Sequence, residues 1–438
     1  MKINARQIAY EVLLKVFKDN AFSNLALDAA LKKARLDVRE RAFASALVYG
    51  VCERIISLDY TIEKYLSKPL SKLKPQVLAI LRLGAYQLLF MDGVPDSAAV
   101  NESVNLSKNN GCSYASGLIN AVLRKISKNG FLLPEETDIN EYLSVKYSCP
   151  KWLIEKWNEE YGNERTKDIL TYSLRKNRIS LRVNTLKITA EKLADSLKSR
   201  GISCEPGITR NSLMISELPC SVEELDEFKN GFFHVQGIPS QLCAETLGAK
   251  NGDTVFDLCA APGGKSFTVA EIINNTGKVK AFDLYESRVS LIKSGALRLG
   301  LDNVSADIAD ASVFDETLGK ADCVLCDVPC SGLGIISKKP EIKFKKKEEL
   351  ESLPEIQYSI LKNGSRYVKK GGRLVYSTCT LSKAENEDVC RRFLDENSCF
   401  YAEKPFFTSG DECFATVFPN ENNSDGFFVA LFVRKESK

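Results

Sequence analysis

The strongest constraint on the fold lies after Gly252, where segments typical of strands and of helices alternate along the chain. Apolar runs predict strands, and amphipathic runs predict helices, at 254–258, 266–274, 279–283, 288–300, 323–327, 354–369, 373–376 and 386–396. Because parallel strands need helical crossovers, this order predicts a mostly parallel, doubly wound sheet with right-handed connections. Ligands of such sheets bind at the carboxyl ends of the strands, so the residues that follow each strand are the candidates for chemistry.

The preceding part of the chain has two further patterns. Up to about residue 130 the apolar residues recur at helical spacing, which predicts an all-α bundle of roughly five to seven helices. From Ser180 onwards, an alternating segment, a helical segment at 189–200 and two short apolar runs predict a small α/β subdomain. The predicted domain limits are 1–130, a helical linker at 131–170, the small subdomain at 171–240 and the large sheet at 241–438.

Composition excludes several classes of protein. The chain has 60 Lys and Arg against 57 Asp and Glu, so a nucleic-acid surface must be a local patch. Its 14 cysteines, spread from Cys52 to Cys413, lack the spacing of a disulfide framework and indicate a cytoplasmic protein with reduced thiols. No apolar run approaches the roughly 18 residues of a membrane span. The single histidine, His234, excludes His-dependent triads and most zinc sites, and we predict an ordinary strand residue and no metal.

A glycine-rich turn follows the first strand of the large sheet, with the sequence CAAPGGK at 259–265. Paired glycines let the backbone approach a ligand, although the turn matches neither dinucleotide nor P-loop signatures. The next strand ends in Asp283, about twenty residues on, where a carboxylate can accept hydrogen bonds from ribose hydroxyls. Asp310 is placed to accept one from an adenine amino group. Taken singly, Asp283 also fits a solvated strand end, and Asp310 a helix cap.

Two cysteines follow neighbouring strand segments later in the chain. Asp327 and Cys330 stand at and just past the strand at 323–327, and Cys379 follows the strand at 373–376. Neighbouring strands lie about 5 Å apart, so if these two pair, both thiols face one substrate. Two thiols and a carboxylate suit covalent catalysis on an electrophilic ring carbon. Two inert cysteines, or a redox pair outside a Cys-x-x-Cys turn, are the alternatives.

Three motifs closely resemble the S-adenosylmethionine-dependent RNA cytosine-5 methyltransferases: CAAPGGK at 259–265, DVPCSG at 327–332 and YSTC at 376–379. Supporting matches occur at 181–184, 235–236, 240–241, 385–386 and 425–428. The segments at 39–51, 83–89 and 100–104 are similar to NusB-type helical RNA-binding domains. A NusB-like domain ahead of this core resembles the bacterial small-subunit (16S) rRNA cytosine-5 methyltransferase B family (RsmB). The resemblance implies an RRM-like small subdomain and a Rossmann-like methyltransferase domain.

The resemblance also implies a role for each motif residue. Cys379 is implied to be the nucleophile that adds to C6 of cytosine, and Cys330 to assist product release. Asp327 is implied to hold the ring at N3, and Lys265 to contact the base or the surroundings of the nucleophile. Such an adduct is needed because cytosine C5 is otherwise too weakly nucleophilic to take a methyl group. The implied binding residues for S-adenosyl-L-methionine are Cys259, Ala260, Ala261, Pro262, Gly263, Gly264, Lys265, Asp283, Asp310 and Asp327.

The implied partner is 16S rRNA or a small-subunit assembly intermediate, bound by a cytoplasmic monomer that contacts no membrane. The target nucleotide must be unpaired or flipped out to reach the thiols. The basic run at 338–347 is predicted to contact RNA phosphates. Gly237 and Ala309 depart from residues that the family often has. A tRNA target and a non-catalytic RNA-binding assembly factor are the alternatives; the intact cysteines and Asp327 argue against the second.

Overall fold

The computed structural model describes residues 4–19, 21–34, 36–175, 178–218, 220–409, 412–419 and 424–436. It contains two compact units, Met1–Leu174 with Ile336–Lys345, and Arg175–Ile335 with Lys346–Lys438. The chain therefore leaves the second unit for ten residues, contributes them to the first, and returns. Within the described residues, every helix is too short or too polar to cross a membrane.

The first unit is helical, as the sequence predicts. Its helices are α1 (Ala5–Asp19), α2 (Ser23–Lys33), α3 (Val38–Glu63), α4 (Pro75–Phe90), α5 (Asp96–Asn109), α6 (Ser116–Asn129), α7 (Ile139–Tyr147), α8 (Lys151–Tyr161) and α9 (Asn163–Tyr172). Helix α4 starts at Pro75, whose fixed φ suits a first helical position, and it packs against α3, α5 and α6. Its nearly continuous apolar sequence is explained by this central position, since Ile80, Leu81 and Leu83 are fully buried.

A small four-stranded sheet opens the second unit. Its elements are β1 (Ile179–Val183), α10 (Ala190–Ser199), β2 (Cys204–Pro206), β3 (Ser212–Ile215), α11 (Asp226–Lys229) and β4 (Phe233–Val235). The strand order is β2-β3-β1-β4, and each neighbouring pair is antiparallel. Leu181 and Val183 on β1 pack with Leu193 and Leu197 of α10 in the core. The predicted small α/β subdomain is confirmed.

The large sheet of the second unit follows. Its elements are α12 (Ile238–Thr246), β5 (Thr254–Asp257), α13 (Gly264–Ile272), β6 (Lys278–Asp283), α14 (Glu286–Leu299), β7 (Val304–Ile308), β8 (Ala321–Asp327), α15 (Leu353–Tyr367), β9 (Val368–Thr378), α16 (Glu387–Glu396), β10 (Phe400–Glu403), β11 (Phe414–Val417) and β12 (Phe427–Arg434). The order is β10-β12-β9-β8-β5-β6-β7, with β11 paired to β12. Strands β5 to β9 are parallel, which confirms the doubly wound prediction. Strands β10 to β12 add an antiparallel edge that was not predicted from the sequence.

This sheet is covered on both faces. Successive side chains of a strand point to opposite sides, so Val255 packs in an apolar cluster on one face and Phe256 in a second cluster on the other. The strand order reverses between β5 and β8, since the chain runs from β5 outwards through β6 and β7 and then returns to β8 on the other side. A sheet of this kind has its ligand crevice beyond the carboxyl ends of the strands at the reversal.

Candidate active site

The carboxyl ends of four parallel strands bring the sequence motifs to one edge of the large sheet. Strands β5, β6 and β8 end in Asp257, Asp283 and Asp327, and β9 ends in Thr378, the residue before Cys379. Asp327 is in register with Ser377 on the neighbouring strand. The motifs that are far apart in sequence therefore meet at the point where the strand order reverses.

The glycine-rich turn connects β5 to α13 and contains a cis peptide bond between Ala261 and Pro262. Gly263 has a φ of +109°, a conformation that L side chains rarely adopt, and a β-carbon there would lie 2.3 Å from the ring of Phe267. Gly264 differs, because a β-carbon there would meet only Gln236, at an ordinary 3.7 Å. Packing within the protein thus requires glycine at 263, whereas at 264 its absent side chain leaves the backbone open towards a cavity.

That cavity has a volume of about 200 Å³. It is lined by Val235, Gln236, Gly237, Ser240, Asp257, Cys259, Ala260, Ala261, Pro262, Gly264, Lys265 and Asp327. Seven of these residues are among the predicted site residues, and Gly263, Asp283 and Asp310 are not part of this lining. The first four come from β4, the turn that follows it and the first turn of α12, so the small sheet and the large sheet share the wall of the cavity.

Asp257 was not predicted as a site residue. It is 1% exposed, its Oδ2 accepts a hydrogen bond from Ser266 Oγ at 2.6 Å, and its Oδ1 has no partner among the described residues. Burial, which disfavours the charged form, raises the pKa of Asp257 to about 7. Gln236 Nε2 is likewise buried without a partner. A carboxylate ending an apolar strand next to the glycine-rich turn was the available signal.

Asp327 is held by two donors. Lys265 Nζ donates to Oδ2 at 2.5 Å and Ser377 Oγ donates to Oδ1 at 2.7 Å. Burial favours the neutral amine of Lys265, but the carboxylate of Asp327 and other nearby acidic groups outweigh it and raise the pKa of Lys265 above its usual value. Lys265 is therefore a fixed cation that orients the carboxylate of Asp327.

The two predicted catalytic cysteines lie side by side. Their sulfurs are 3.2 Å apart, and both side chains are half-buried. The hydrogen bond to Cys379, followed by burial, raises the pKa of the Cys330 thiol well above its usual value. Cys330 is thus a thiol at neutral pH, and it contacts the sulfur of Cys379.

Asp283 and Asp310 lie at the same edge, Asp283 at the end of β6 and Asp310 two residues past the end of the neighbouring β7. Asp283 is buried; its Oδ1 accepts from Tyr285 N at 3.3 Å and its Oδ2 is 3.4 Å from Arg288 Nη1. Asp310 is exposed, and hydrogen bonds from the side chain and backbone of Ser312 lower its pKa. Asp310 therefore forms a local turn, while the chain around both aspartates is joined by the bond from Ala309 N to Asp283 O.

The predicted phosphate contact is wrong for Lys343 in the basic run. Lys343 is 3% exposed and its Nζ donates to Glu53 O at 3.2 Å in the first unit. The neighbouring Glu341 accepts a hydrogen bond from Ser23 Oγ at 3.1 Å, so this segment is packed against the helices. The ammonium group of Lys343 therefore cannot reach a phosphate. The exposed lysines of the run, Lys338, Lys339, Lys346 and Lys347, remain a predicted contact.

His234 lies on β4 and is 4% exposed, with Nε2 3.3 Å from Gln236 Oε1. Burial lowers the pKa of His234 to about 3, so the ring is neutral. This agrees with the prediction of an ordinary strand residue.

Comparison with known proteins identifies the family. Residues 244–433 match the model of the 16S rRNA methyltransferase RsmB/F domain, 3–128 match the NusB family, and 149–223 match the RsmF/B-like ferredoxin-like domain. A probable ribosomal RNA small subunit methyltransferase B of Bacillus subtilis is 36% identical, and one of Synechocystis sp. is 33% identical; the alignments cover 98% or more of this chain and 99% of each relative. The crystal structure of PH0851 superposes over the full length of both chains with a TM-score of 0.84 and 28% identity. The chain thus belongs to the ribosomal RNA small subunit methyltransferase B (RsmB) family, as its motifs predicted.

Proposed function

We propose that this protein transfers a methyl group from S-adenosyl-L-methionine to C5 of a cytosine in 16S rRNA, through a covalent adduct between Cys379 and C6 of the base. The observation that carries the proposal is the 3.2 Å contact between Cys379 and Cys330. Asp327 stands at the carboxyl end of the strand adjacent to the one that leads into Cys379. This combination suits attack on an electrophilic ring carbon.

The cavity beside Asp327 fits the amino-acid end of S-adenosyl-L-methionine. Asp257 Oδ1 and Gln236 Nε2 are an acceptor and a donor that have no partner within the described parts of the chain, and such buried groups are costly unless a ligand satisfies them. We assign the ammonium group to Asp257 and the carboxylate to Gln236, with Gly264 leaving room for both. Asp283 is assigned to the ribose and Asp310 to the adenine. When bound, this cofactor supplies an electrophilic methyl group.

The two thiols are assigned different roles in the reaction. A hydrogen bond to a charged sulfur favours the charge, so Cys330, as a thiol, stabilises the thiolate of Cys379. Attack of that thiolate on C6 would place electron density on C5, which would take the methyl group as the bond between methyl and the sulfonium sulfur breaks and S-adenosyl-L-homocysteine is left. The C5 proton would then pass to Cys330 as the Cys330 thiol releases its own proton to solvent; the C5–C6 double bond re-forms and Cys379 leaves as a thiolate. Lys265 and Ser377 fix the carboxylate of Asp327, which we assign to N3 of the ring.

Membership of the RsmB family supports 16S rRNA, free or in a small-subunit assembly intermediate, as the partner. We retain the prediction of a cytoplasmic monomer and the predicted limits of its domains, except that residues 336–345, predicted as part of the large-sheet domain, belong to the first unit. The NusB-family match supports an RNA-binding role for the helices of the first unit.

The decisive experiment supplies the protein with labelled S-adenosyl-L-methionine and one of three substrates: unmodified small-subunit rRNA, small-subunit particles or a tRNA pool. The product is digested to nucleosides. We expect label in 5-methylcytosine from rRNA or particles. Label only in tRNA would overturn the target, and cofactor binding without any label would favour the non-catalytic assembly factor.

A further inference from the structure

The carboxylate of Glu385 is buried behind both cysteine-bearing loops and has no part in the chemistry described above. Glu385 lies two residues before the start of α16 and is 2% exposed. Its Oε2 accepts from Ser331 N at 2.8 Å and from Gln357 Nε2 at 3.0 Å. Its Oε1 accepts from Ser331 Oγ at 2.6 Å and lies 3.5 Å from Thr380 Oγ1. One side chain thus joins the residue after Cys330 to the residue after Cys379.

The residues on the other side of each cysteine are hydrogen-bonded to Gln357 and Asn386, which together with Glu385 form one cluster. Gln357 Nε2 also donates to Pro329 O at 3.0 Å. Asn386, next to Glu385, accepts from Thr378 Oγ1 at 2.6 Å and donates to Thr380 O at 3.0 Å. Both neighbours of Cys330 and both neighbours of Cys379 are therefore hydrogen-bonded to Gln357 or to the Glu385-Asn386 pair.

A buried carboxylate is retained only where donors compensate for the water that it loses. Here the donors come from two loops and from helix α15, so moving either loop away leaves the carboxylate with unsatisfied acceptor positions. The burial cost of Glu385 therefore opposes separation of the loops. A contact of 3.2 Å between two sulfurs on separate loops needs such a constraint, because loops without one are the mobile parts of a fold.

We propose that Glu385, together with Asn386 and Gln357, is a positioning residue that holds Cys330 and Cys379 in contact for the methyl transfer. The proposal deepens the function proposed above and rests on it, because it assumes that the two thiols act together. Glu385 does not line the cofactor cavity. Its loss should therefore impair the step at the cysteines and leave cofactor binding intact.

The chemistry of the cluster distinguishes two substitutions. Glu385→Ala removes all four acceptor contacts. Glu385→Gln keeps an oxygen towards Ser331 N and Gln357 Nε2 and turns its amide towards two hydroxyl groups, which can rotate to accept. Glutamine should therefore preserve the cluster. Glu387→Gln is the matched control, because its carboxylate accepts from Thr416 Oγ1 and not from either cysteine loop.

The first measurement is independent of methylation. Diamide oxidises two adjacent thiols to a disulfide, its N=N bond taking up the two protons and two electrons as a hydrazine. The rate is read from the linked tryptic peptides 321–338 and 374–383, with fragmentation assigning the link to Cys330. We expect Glu385→Ala to slow this reaction about tenfold or more, because charge-assisted hydrogen bonds are lost. The Glu385→Gln and Glu387→Gln variants should react at nearly the wild-type rate.

The second measurement is methylation by the full chain. Glu385→Ala should lower kcat about tenfold or more and leave the Kd for S-adenosyl-L-methionine unchanged. If Glu385→Ala does not fold, Gln357→Met replaces it, since that change removes the bonds to Glu385 and Pro329 and retains a side chain of similar size.

An unchanged rate of disulfide formation in folded Glu385→Ala would overturn the proposal. Equal losses of rate in Glu385→Ala and Glu385→Gln would also overturn it. The two measurements separate the hypotheses. If Glu385→Ala slows disulfide formation but the wild-type protein methylates nothing, the positioning role is supported and the proposed function is contradicted. If the wild-type protein methylates normally but Glu385→Ala does not slow disulfide formation, the proposed function is supported and the positioning role is contradicted.

Discussion

The two halves of the candidate site differ in how their polar groups are satisfied. On the cofactor side, Asp257 Oδ1 and Gln236 Nε2 are buried at the wall of a cavity and have no partner among the residues that the structure describes. On the thiol side, the Glu385 carboxylate accepts hydrogen bonds from two loops, through Ser331 and Thr380, and from helix α15, through Gln357. The buried polar groups on the cofactor side thus need a ligand to satisfy their hydrogen bonds, whereas those on the thiol side are satisfied by other groups of the protein. Substitutions on the two sides should therefore impair different steps.

The largest effect is expected at the nucleophile. Cys379→Ala should abolish methylation while cofactor binding persists, because the methyl acceptor carbon is then never activated. Label incorporation into RNA and the Kd for S-adenosyl-L-methionine measure the two properties. Cys399→Ala, at an exposed cysteine outside the site, is the control and should methylate normally. Methylation by Cys379→Ala at the wild-type rate would refute the assignment.

Substitution of Cys330, the neighbour of the nucleophile, should block a later step of the reaction. Cys330→Ala should slow the attack by Cys379 without preventing it, and it removes the group assigned to product release, so an adduct between protein and RNA should accumulate. A denaturing gel with labelled RNA detects it, and peptide mapping should locate the RNA on Cys379. Active wild-type protein without a stable adduct is the reference. If Cys330→Ala forms no adduct, its assigned role is wrong.

The sequence predicted the edge of the sheet that forms the site, because parallel strands with helical crossovers have their carboxyl ends together. The sequence alone therefore places Cys330, Cys379 and Asp327 in one region. It did not predict the role of Glu385, whose partners Ser331 and Gln357 are 54 and 28 residues away along the chain. No local pattern specifies such a contact.

Two other differences have physical causes. The lysine run at 338–347 has the composition of a solvated loop, and nothing local indicates that its middle returns to the first unit and buries Lys343. The antiparallel strands β10 to β12 were missed, although the apolar sequence of Phe427–Arg434 is typical of a strand buried on both faces.

The thiol side should also be sensitive to the backbone contact between its loops. Gly334 N donates to Cys379 O at 3.0 Å, and a β-carbon on Gly334 would lie 2.2 Å from Gly426 O. Gly334→Ala should therefore lower the free energy of unfolding by about 3 kcal/mol, as overpacking does. Denaturant unfolding measures it. Gly117→Ala, at a helical position with open space, is the control and should be neutral or stabilising. Equal stability of both variants would contradict the predicted clash.

The smallest effect, a pH dependence, tests the cofactor side. Burial raises the pKa of Asp257 to about 7. A raised carboxyl pKa means that the folded protein binds the proton more tightly than the unfolded chain, so this group costs stability as the pH rises from about 4 to about 7.

Binding of the cofactor ammonium needs the ionised carboxylate and should reverse that cost. The affinity for S-adenosyl-L-methionine should therefore rise about eightfold between pH 6 and pH 7.5, after allowance for titration of the ligand amine. In Asp257→Asn the affinity should be lower and should not rise over this range. Calorimetry at both pH values measures it. A pH-independent wild-type affinity would remove Asp257 from the ammonium site, while a rise that persists in the variant would assign the titration to another group.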